Sequence, residues 1–180
     1  LPPAASLTSL DVSNKNISNL TGIGGFTGLL SLICSGNQLS SLPALPNNLT
    51  YLSCNENQLT TLPTLPNSLL TLSCDYNQLT SLPALPSGLK ILFCQINQLT
   101  ALPTLPNTLT DLYCIRNLLT SLPALPSSLK KIECRGNQLT SLPTLPNGLT
   151  ELTCYANQIS SLPTLPTTLT KLYLDADKVS

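Results

Sequence analysis

The sequence predicts a solenoid of short parallel β-strands with almost no α-helix. Two observations support this prediction: a cysteine returns at every 20th residue, and each interval between cysteines repeats one arrangement of leucine, asparagine and proline. A fixed period of this length is typical of proteins whose small units stack along one axis and contact only their neighbours. The seven cysteines are Cys34, Cys54, Cys74, Cys94, Cys114, Cys134 and Cys154.

Each unit follows the frame L-x-x-L-x-C-x-x-N-x-L-x-x-L-P-x-L-P-x-x, as in LTYLSCNENQLTTLPTLPNS. The first unit is two residues longer than the others and lacks the proline pair, as expected for a degenerate opening repeat. We therefore divide the chain into an opening repeat over residues 1–28, seven regular repeats over 29–168 and a shortened final repeat over 169–180. Because the last unit lacks its second half, we expect further domains of the same chain.

The first half of each unit predicts a strand. In the segment LTYLSC, Leu52 and Cys54 alternate with Tyr51 and Ser53, which is the two-residue period of a strand with one buried face. Successive strands should lie parallel and in register on the concave face of the solenoid.

The second half of each unit predicts an extended arm. Leu59, Leu62 and Leu65 lie three residues apart, as do Pro63 and Pro66, and three residues per turn is the polyproline II period. Proline costs little here because such an arm needs no ladder of hydrogen bonds. The convex face should therefore consist of extended polyproline II arms.

Composition argues against several functions. Only 9% of the residues are charged and the formal net charge is zero, so neither nucleic acid nor an anionic membrane surface is an expected partner. The absence of histidine removes the commonest acid–base catalyst and a common metal ligand, so we predict no enzyme activity, cofactor or metal site. No apolar run is long enough for membrane insertion, and the opening LPPAASLTSL does not resemble a signal segment.

The frame L-x-x-L-x-C-x-x-N-x-L resembles the leucine-rich repeat signature, with cysteine in the third apolar position. The L-P-x-L-P half is similar to the 20-residue subclass found in secreted bacterial effector proteins. The cysteine ladder and the opening LDVSNKNISNLTGIGGF resemble internalin-like leucine-rich repeat proteins of the bacterial cell surface. This resemblance implies binding of another macromolecule without catalysis in the repeats, and a secreted or cell-surface location.

The invariant asparagines and cysteines have structural explanations. An asparagine amide at the turn after each strand can donate to one neighbouring backbone and accept from the next. The cysteines should be buried free thiols in an apolar row. Disulfides or a metal cluster fit less well, because in-register side chains point the same way and a straight row offers an ion two neighbours at most.

The variable positions predict the binding surface. Four slots per unit should project from the strand and the turn after it: the residue before the second leucine, the residue before cysteine and the two residues after it. Six of the seven aromatic residues occupy these slots, and no charge falls in a proline-bearing half. An aromatic centre with a polar, arginine-containing rim is typical of protein recognition. The candidate binding residues are Tyr51, Tyr76, Ile91, Phe93, Ile96, Asp111, Tyr113, Ile115, Arg116, Lys131, Glu133, Arg135, Glu151 and Tyr155.

Other roles for these surfaces stay open at this point. The apolar patch could pack against a missing domain of the same chain or against a second copy of the chain, in a dimer or a crystal. Alternatively, the rings could stack on carbohydrate. As a minor alternative, the solenoid could be a structural spacer, or the row of threonines repeated along its flank could form an ice-binding surface. That row consists of Thr60, Thr80, Thr100, Thr120 and Thr140.

Overall fold

A computed structural model describes residues 6–175 as a single parallel sheet of nine strands, in which each strand pairs with the next one along the chain. This is the predicted solenoid with a sheet on one face. The strands are β1 Ser9–Asp11, β2 Ser31–Ile33, β3 Tyr51–Ser53, β4 Thr71–Ser73, β5 Ile91–Phe93, β6 Asp111–Tyr113, β7 Lys131–Glu133, β8 Glu151–Thr153 and β9 Lys171–Tyr173.

The strands stack in strict register, so equivalent residues of successive units are neighbours. Leu52 lies between Leu32 and Leu72, at the 20-residue offset that holds from β2 to β9. Between β1 and β2 the offset is 22 residues, since Leu10 pairs with Leu32. The two additional residues of the opening unit therefore lie outside the strand, in the segment that holds the short 3-10 helix Ile23–Gly25.

The core is a set of rows that run along the stack. In the regular units the two strand-half leucines, the cysteine and the leucine after the conserved asparagine are almost fully buried. All seven cysteines are free and buried, which confirms that prediction. Four of the thiols donate to a carbonyl group of the next strand, as from Cys74 Sγ to the oxygen of Phe93 at 3.3 Å; these are the thiols of Cys34, Cys54, Cys74 and Cys94.

The proline-bearing arms contain neither helix nor strand over their described residues, and their leucines face the core. Each arm is tied to the preceding arm near its start, as by the bond from the Gln58 amide to the Leu39 oxygen at 2.9 Å. Each arm returns to the next strand through a turn, in which the Leu69 amide donates to the Pro66 oxygen at 3.1 Å. The prolines therefore stand where no ladder hydrogen bond is needed.

The conserved asparagines bind the units together, though not in the manner expected. Asn77 Nδ2 donates to Cys54 O at 3.0 Å and Cys74 O at 3.2 Å, while its Oδ1 accepts from Leu59 N at 3.0 Å. Cys54 and Leu59 both belong to the preceding unit, so the amide does not donate to one neighbour and accept from the other. The side-chain amide joins its own turn to the preceding unit alone.

The ends of the predicted opening and final segments, residues 1–5 and 176–180, lie outside the described residues. Within the described part, no helix has the length and apolar character needed to cross a membrane.

Candidate binding surface on the strand face

Two outward rows of side chains cover the strands, and together with the two residues after each cysteine they make up what we call the strand face. The register aligns both rows along the stack. The first row is Ser9, Ser31, Tyr51, Thr71, Ile91, Asp111, Lys131, Glu151 and Lys171. The second row is Asp11, Ile33, Ser53, Ser73, Phe93, Tyr113, Glu133, Thr153 and Tyr173.

An aromatic stack occupies the middle of this face. The rings of Phe93 and Tyr113 lie with centroids 4.5 Å apart and planes inclined by 16°. The Lys131 ammonium lies 5.2 Å from the centroid of the Tyr113 ring. Both aromatic side chains are half-buried, since each covers one face of the other. The stack is therefore a preformed apolar platform with open edges rather than a set of freely moving rings.

A ladder of alternating charge continues the first row beyond the aromatic stack. Lys131 Nζ lies 2.8 Å from Glu133 Oε1 and 3.3 Å from Glu151 Oε2, and Lys171 Nζ lies 2.7 Å from Glu151 Oε1. The hydrogen bond to Glu133 raises the pKa of Lys131, and the bond from Lys171 lowers the pKa of Glu151. These four charges neutralise one another, so they attract a partner's charges only weakly.

The first slot after cysteine differs between the two ends of the stack. In the N-terminal units its polar side chains accept from the amide of the next unit: Ser35 from Asn55, Asn55 from Asp75 at 2.8 Å, and Asp75 from Gln95 at 2.7 Å. In the C-terminal units the same slot holds Ile115, Arg135 and Tyr155.

This slot also overturns one expectation. Asp75 and Ile115 were predicted to project into solvent, but only 8% and 5% of their surfaces are exposed. The prediction was wrong because side chains in this slot lean along the stack onto the next unit, as the bonds of Asn55 and Asp75 show. Burial raises the pKa of the Asp75 carboxyl group above its ordinary value of 3.8, although the bonds from Gln95 partly oppose that rise.

The second slot after cysteine takes a left-handed backbone in all seven cysteine-bearing units. Its φ is 65° at Gly36 and 69° at Gly136, but also 53° at Tyr76, 52° at Ile96 and 51° at Arg116. The left-handed region favours glycine and costs other residues roughly 1 kcal/mol, more for a β-branched side chain such as isoleucine. The turn therefore imposes this conformation whichever residue occupies the slot, including Glu56 and Ala156.

The structure brings most of the candidate residues together around the stack. Ile91 neighbours Asp111 in the first row as Phe93 neighbours Tyr113 in the second, and Ile96 follows Phe93 in the adjoining turn. Tyr51 stands apart, because Thr71 and Ser73 separate its strand from β5. Tyr76, with 53% of its surface exposed, lies in the turn after β4, one unit before Phe93.

Two residues of the C-terminal units were missing from the candidate set. Lys171 completes the charge ladder, and Tyr173 ends the row that begins with Phe93 and Tyr113. Their slots in the repeat frame could have identified both.

Acidic side chains and cysteines are groups of this chain that could bind a metal ion or act as nucleophiles. Within residues 6–175 no three histidine, cysteine, aspartate or glutamate side chains come together to hold a metal ion. Burial raises the pKa of every thiol, to about 12 at Cys34 and about 11 at Cys154, so these thiols are not nucleophiles near neutral pH.

Known structures include several that are similar to this solenoid. YopM from Yersinia enterocolitica superposes with a TM-score of 0.93 at 40% sequence identity, over 95% of this chain and 38% of YopM. The chain is a leucine-rich repeat solenoid. Its structural neighbours also include the InlJ domain from Listeria monocytogenes, which itself has a cysteine ladder (TM-score 0.58, 26% identity, 96% of this chain and 54% of that one).

A third neighbour of the leucine-rich repeat solenoid is a chain from the octameric complex of Latrophilin 3, Unc5D and the leucine-rich repeat part of FLRT2 (TM-score 0.79, 26% identity, 96% of this chain and 61% of that one). No protein-family model and no curated protein matches the sequence. The solenoid thus spans well under half the length of YopM.

Proposed function

We propose that this leucine-rich repeat solenoid is a non-catalytic protein-binding module and that its ligand contacts the strand face around Phe93 and Tyr113. The observation that carries the proposal is the preformed aromatic stack in the middle of the face, with polar outward side chains on the strands at either side, β4 and β7. Clustered aromatic side chains at the centre of a surface, bordered by polar residues, are typical of the residues that dominate protein binding.

The backbone conformation supports the same proposal. Tyr76 and Ile96 occupy the left-handed slot in which Gly36 and Gly136 serve other units, so neither bulky side chain is needed to form the turn. Tyr76 lies in the turn of the unit before Phe93, and Ile96 lies in the turn that follows Phe93. Strained positions that persist in spite of their cost are concentrated at functional sites.

The neighbours point in the same direction. A leucine-rich repeat chain of this shape takes part in a complex with two other proteins, Latrophilin 3 and Unc5D. The resemblance to effector and internalin-like proteins adds a secreted or cell-surface location to the proposal.

Peptide display tests the proposal and supplies its own ligands. A random dodecapeptide library is selected on the whole chain, and the affinities of the selected peptides are then measured for wild type, Phe93→Ala and Tyr113→Ala. We expect each substitution to weaken binding by about 1–3 kcal/mol. Each should also lower stability by about 1 kcal/mol, since the ring stack is lost, so urea unfolding must show that the variants are folded under the binding conditions.

The matched control is Thr100→Ala, on the exposed flank. It should change neither property. The proposal fails if the selected peptides bind Phe93→Ala and Tyr113→Ala as well as wild type. If the substitutions instead cause aggregation, the stack covers another domain of the same chain. Carbohydrate binding predicts a different result, in which soluble oligosaccharides rather than peptides depend on the two rings.

A further inference from the structure

The basic residues of the strand face fall into two groups. Lys131 and Lys171 are both paired with glutamates. Arg116 and Arg135 have no carboxylate partner within residues 6–175, since all the ion pairs there involve lysine. Arginine is the side chain best suited to hold a carboxylate by two parallel hydrogen bonds, so unpaired arginines on a candidate binding face call for a partner.

The two arginines are neighbours in the stack. The Arg116 amide donates to the Arg135 carbonyl oxygen at 2.9 Å, which fixes the two residues on consecutive turns. A Cβ atom built at Gly136 would lie 3.2 Å from Arg116 Cγ, so the stem of Arg116 crosses the glycine beside Arg135. Glycine at this position leaves room for that stem.

An aromatic ring supports one of the two guanidinium groups. The Arg135 guanidinium carbon lies 5.5 Å from the centroid of the Tyr155 ring. A guanidinium group held over a ring face retains its in-plane donors for a ligand, and the ring limits its motion.

Arg116 is placed at a cost in backbone strain, and Arg135 stands where other units carry a side chain that bonds to the next unit. Arg116 has a φ of 51° in the slot that is glycine in two other units. Arg135 occupies the slot in which Asn55 and Asp75 bond to the next unit's backbone. Two like charges on consecutive turns also repel each other. A carboxylate from a ligand would supply the missing opposite charge.

We propose that Arg116 and Arg135, together with the ring of Tyr155, receive an aspartate or glutamate side chain of the protein ligand. This inference rests on the proposed function and names the chemistry of the ligand: an acidic residue next to an apolar or aromatic residue that packs on Phe93 and Tyr113. A single carboxylate fits better than a polyanion, because Asp111, Glu133 and Glu151 also lie on this face and would repel an extended run of negative charge.

The peptides selected on the whole chain test this inference through two double variants. Arg116→Gln/Arg135→Gln removes both guanidinium groups. The matched control, Lys90→Gln/Lys130→Gln, removes the same charge from exposed lysines at the opposite ends of the strands. We expect peptides that depend on Phe93 and Tyr113 to be enriched in aspartate or glutamate. They should bind the arginine variant about tenfold or more weakly, yet bind the lysine variant as wild type.

Four other results overturn the inference. Equal losses in both double variants would indicate attraction by net charge alone. If the peptides depend on the two rings but bind the arginine variant normally, the proposed function stands and the carboxylate site is wrong. If the peptides do not depend on the rings, both the proposed function and the carboxylate site are wrong. Displacement of the peptides by inorganic phosphate but not by acetate at equal concentration would assign the site to a phosphate group.

Discussion

The N-terminal and C-terminal halves of the strand face share one backbone but differ in what their outward side chains contact. Up to Asp75, the side chains after the cysteines accept hydrogen bonds from the next unit. From Phe93 onward the outward side chains mainly contact one another, in the aromatic stack and the charge ladder. The strand pairing and the asparagine bonds to the cysteine carbonyl groups recur in both halves, so one repeated frame can hold either a stabilising slot or a recognition surface.

The largest expected effect on stability comes from the conserved asparagines, and it tests whether they stabilise the two halves equally. Asn77→Ala and Asn137→Ala each remove an amide that donates to two cysteine carbonyl groups and accepts from a leucine amide of the preceding unit, and Asn77 donates to Asp75 O as well. We expect a loss of about 3 kcal/mol in the free energy of unfolding for each variant, because buried backbone groups lose their partners. Urea unfolding measures both.

The exposed neighbours Gln78→Ala and Gln138→Ala serve as controls and should change stability by less than about 0.5 kcal/mol. A clearly unequal loss between Asn77→Ala and Asn137→Ala would show that the scaffold itself differs between the halves.

The second prediction compares one slot across the halves. Asn55 Oδ1 accepts from the Asp75 amide at 2.8 Å and from Ser73 Oγ at 2.9 Å, so Asn55→Ala should cost about 2 kcal/mol. Arg135→Ala, in the same slot, should cost less than about 1 kcal/mol, since only its contact with the Tyr155 ring is lost. Thermal unfolding measures both variants. If Asn55→Ala and Arg135→Ala lost similar amounts of stability, the slot would not differ in role between the two halves.

The third prediction concerns the buried carboxyl group of the N-terminal half. Because the folded-state pKa of Asp75 is raised, the folded protein holds this proton more tightly than the unfolded chain. The associated stability is fully present below the ordinary value of 3.8 and is lost as the pH rises through the folded-state pKa. At neutral pH, Asp75→Asn should therefore stabilise the protein, by about 1 kcal/mol or less.

The asparagine oxygen can keep the bond from the Gln95 amide, as the oxygen of Asn55 does for Asp75. The advantage of Asp75→Asn over wild type should shrink as the solution is acidified. This difference isolates Asp75, since other titrating groups act equally in both proteins. An advantage that grows on acidification would contradict the raised pKa.

The smallest expected effect lies in the charge ladder. Lys131→Gln removes the ammonium group shared by Glu133 and Glu151, and we expect a loss of about 0.5 kcal/mol at low salt because these pairs are partly exposed. The loss should shrink further in high salt, whereas the control Lys90→Gln should show little change at either concentration. A large, salt-independent loss would mean that the C-terminal half also depends on its outward side chains for stability.

Much of the scaffold could be predicted from single positions. Leu52 and Cys54 alternate with outward residues, and proline never falls where a ladder amide is required, so the strand, the buried thiols and the extended arm follow from local rules. The left-handed turn was not predicted. Glycine at Gly36 and Gly136, in the slot where the other units carry larger residues, was the signal that could have revealed it.

The sequence by itself determined the repeat, the direction and order of the strands, and the sorting of aromatic and charged residues to one face, because each depends on a period that neighbouring units share. Only the tertiary structure decided which of those residues are accessible. Ile115 and Asp75 are buried, Phe93 stacks on Tyr113, and Arg116 lies across Gly136 beside Arg135. These outcomes depend on the lean of side chains along the stack, which brings together residues about 20 positions apart and cannot be inferred from one unit alone.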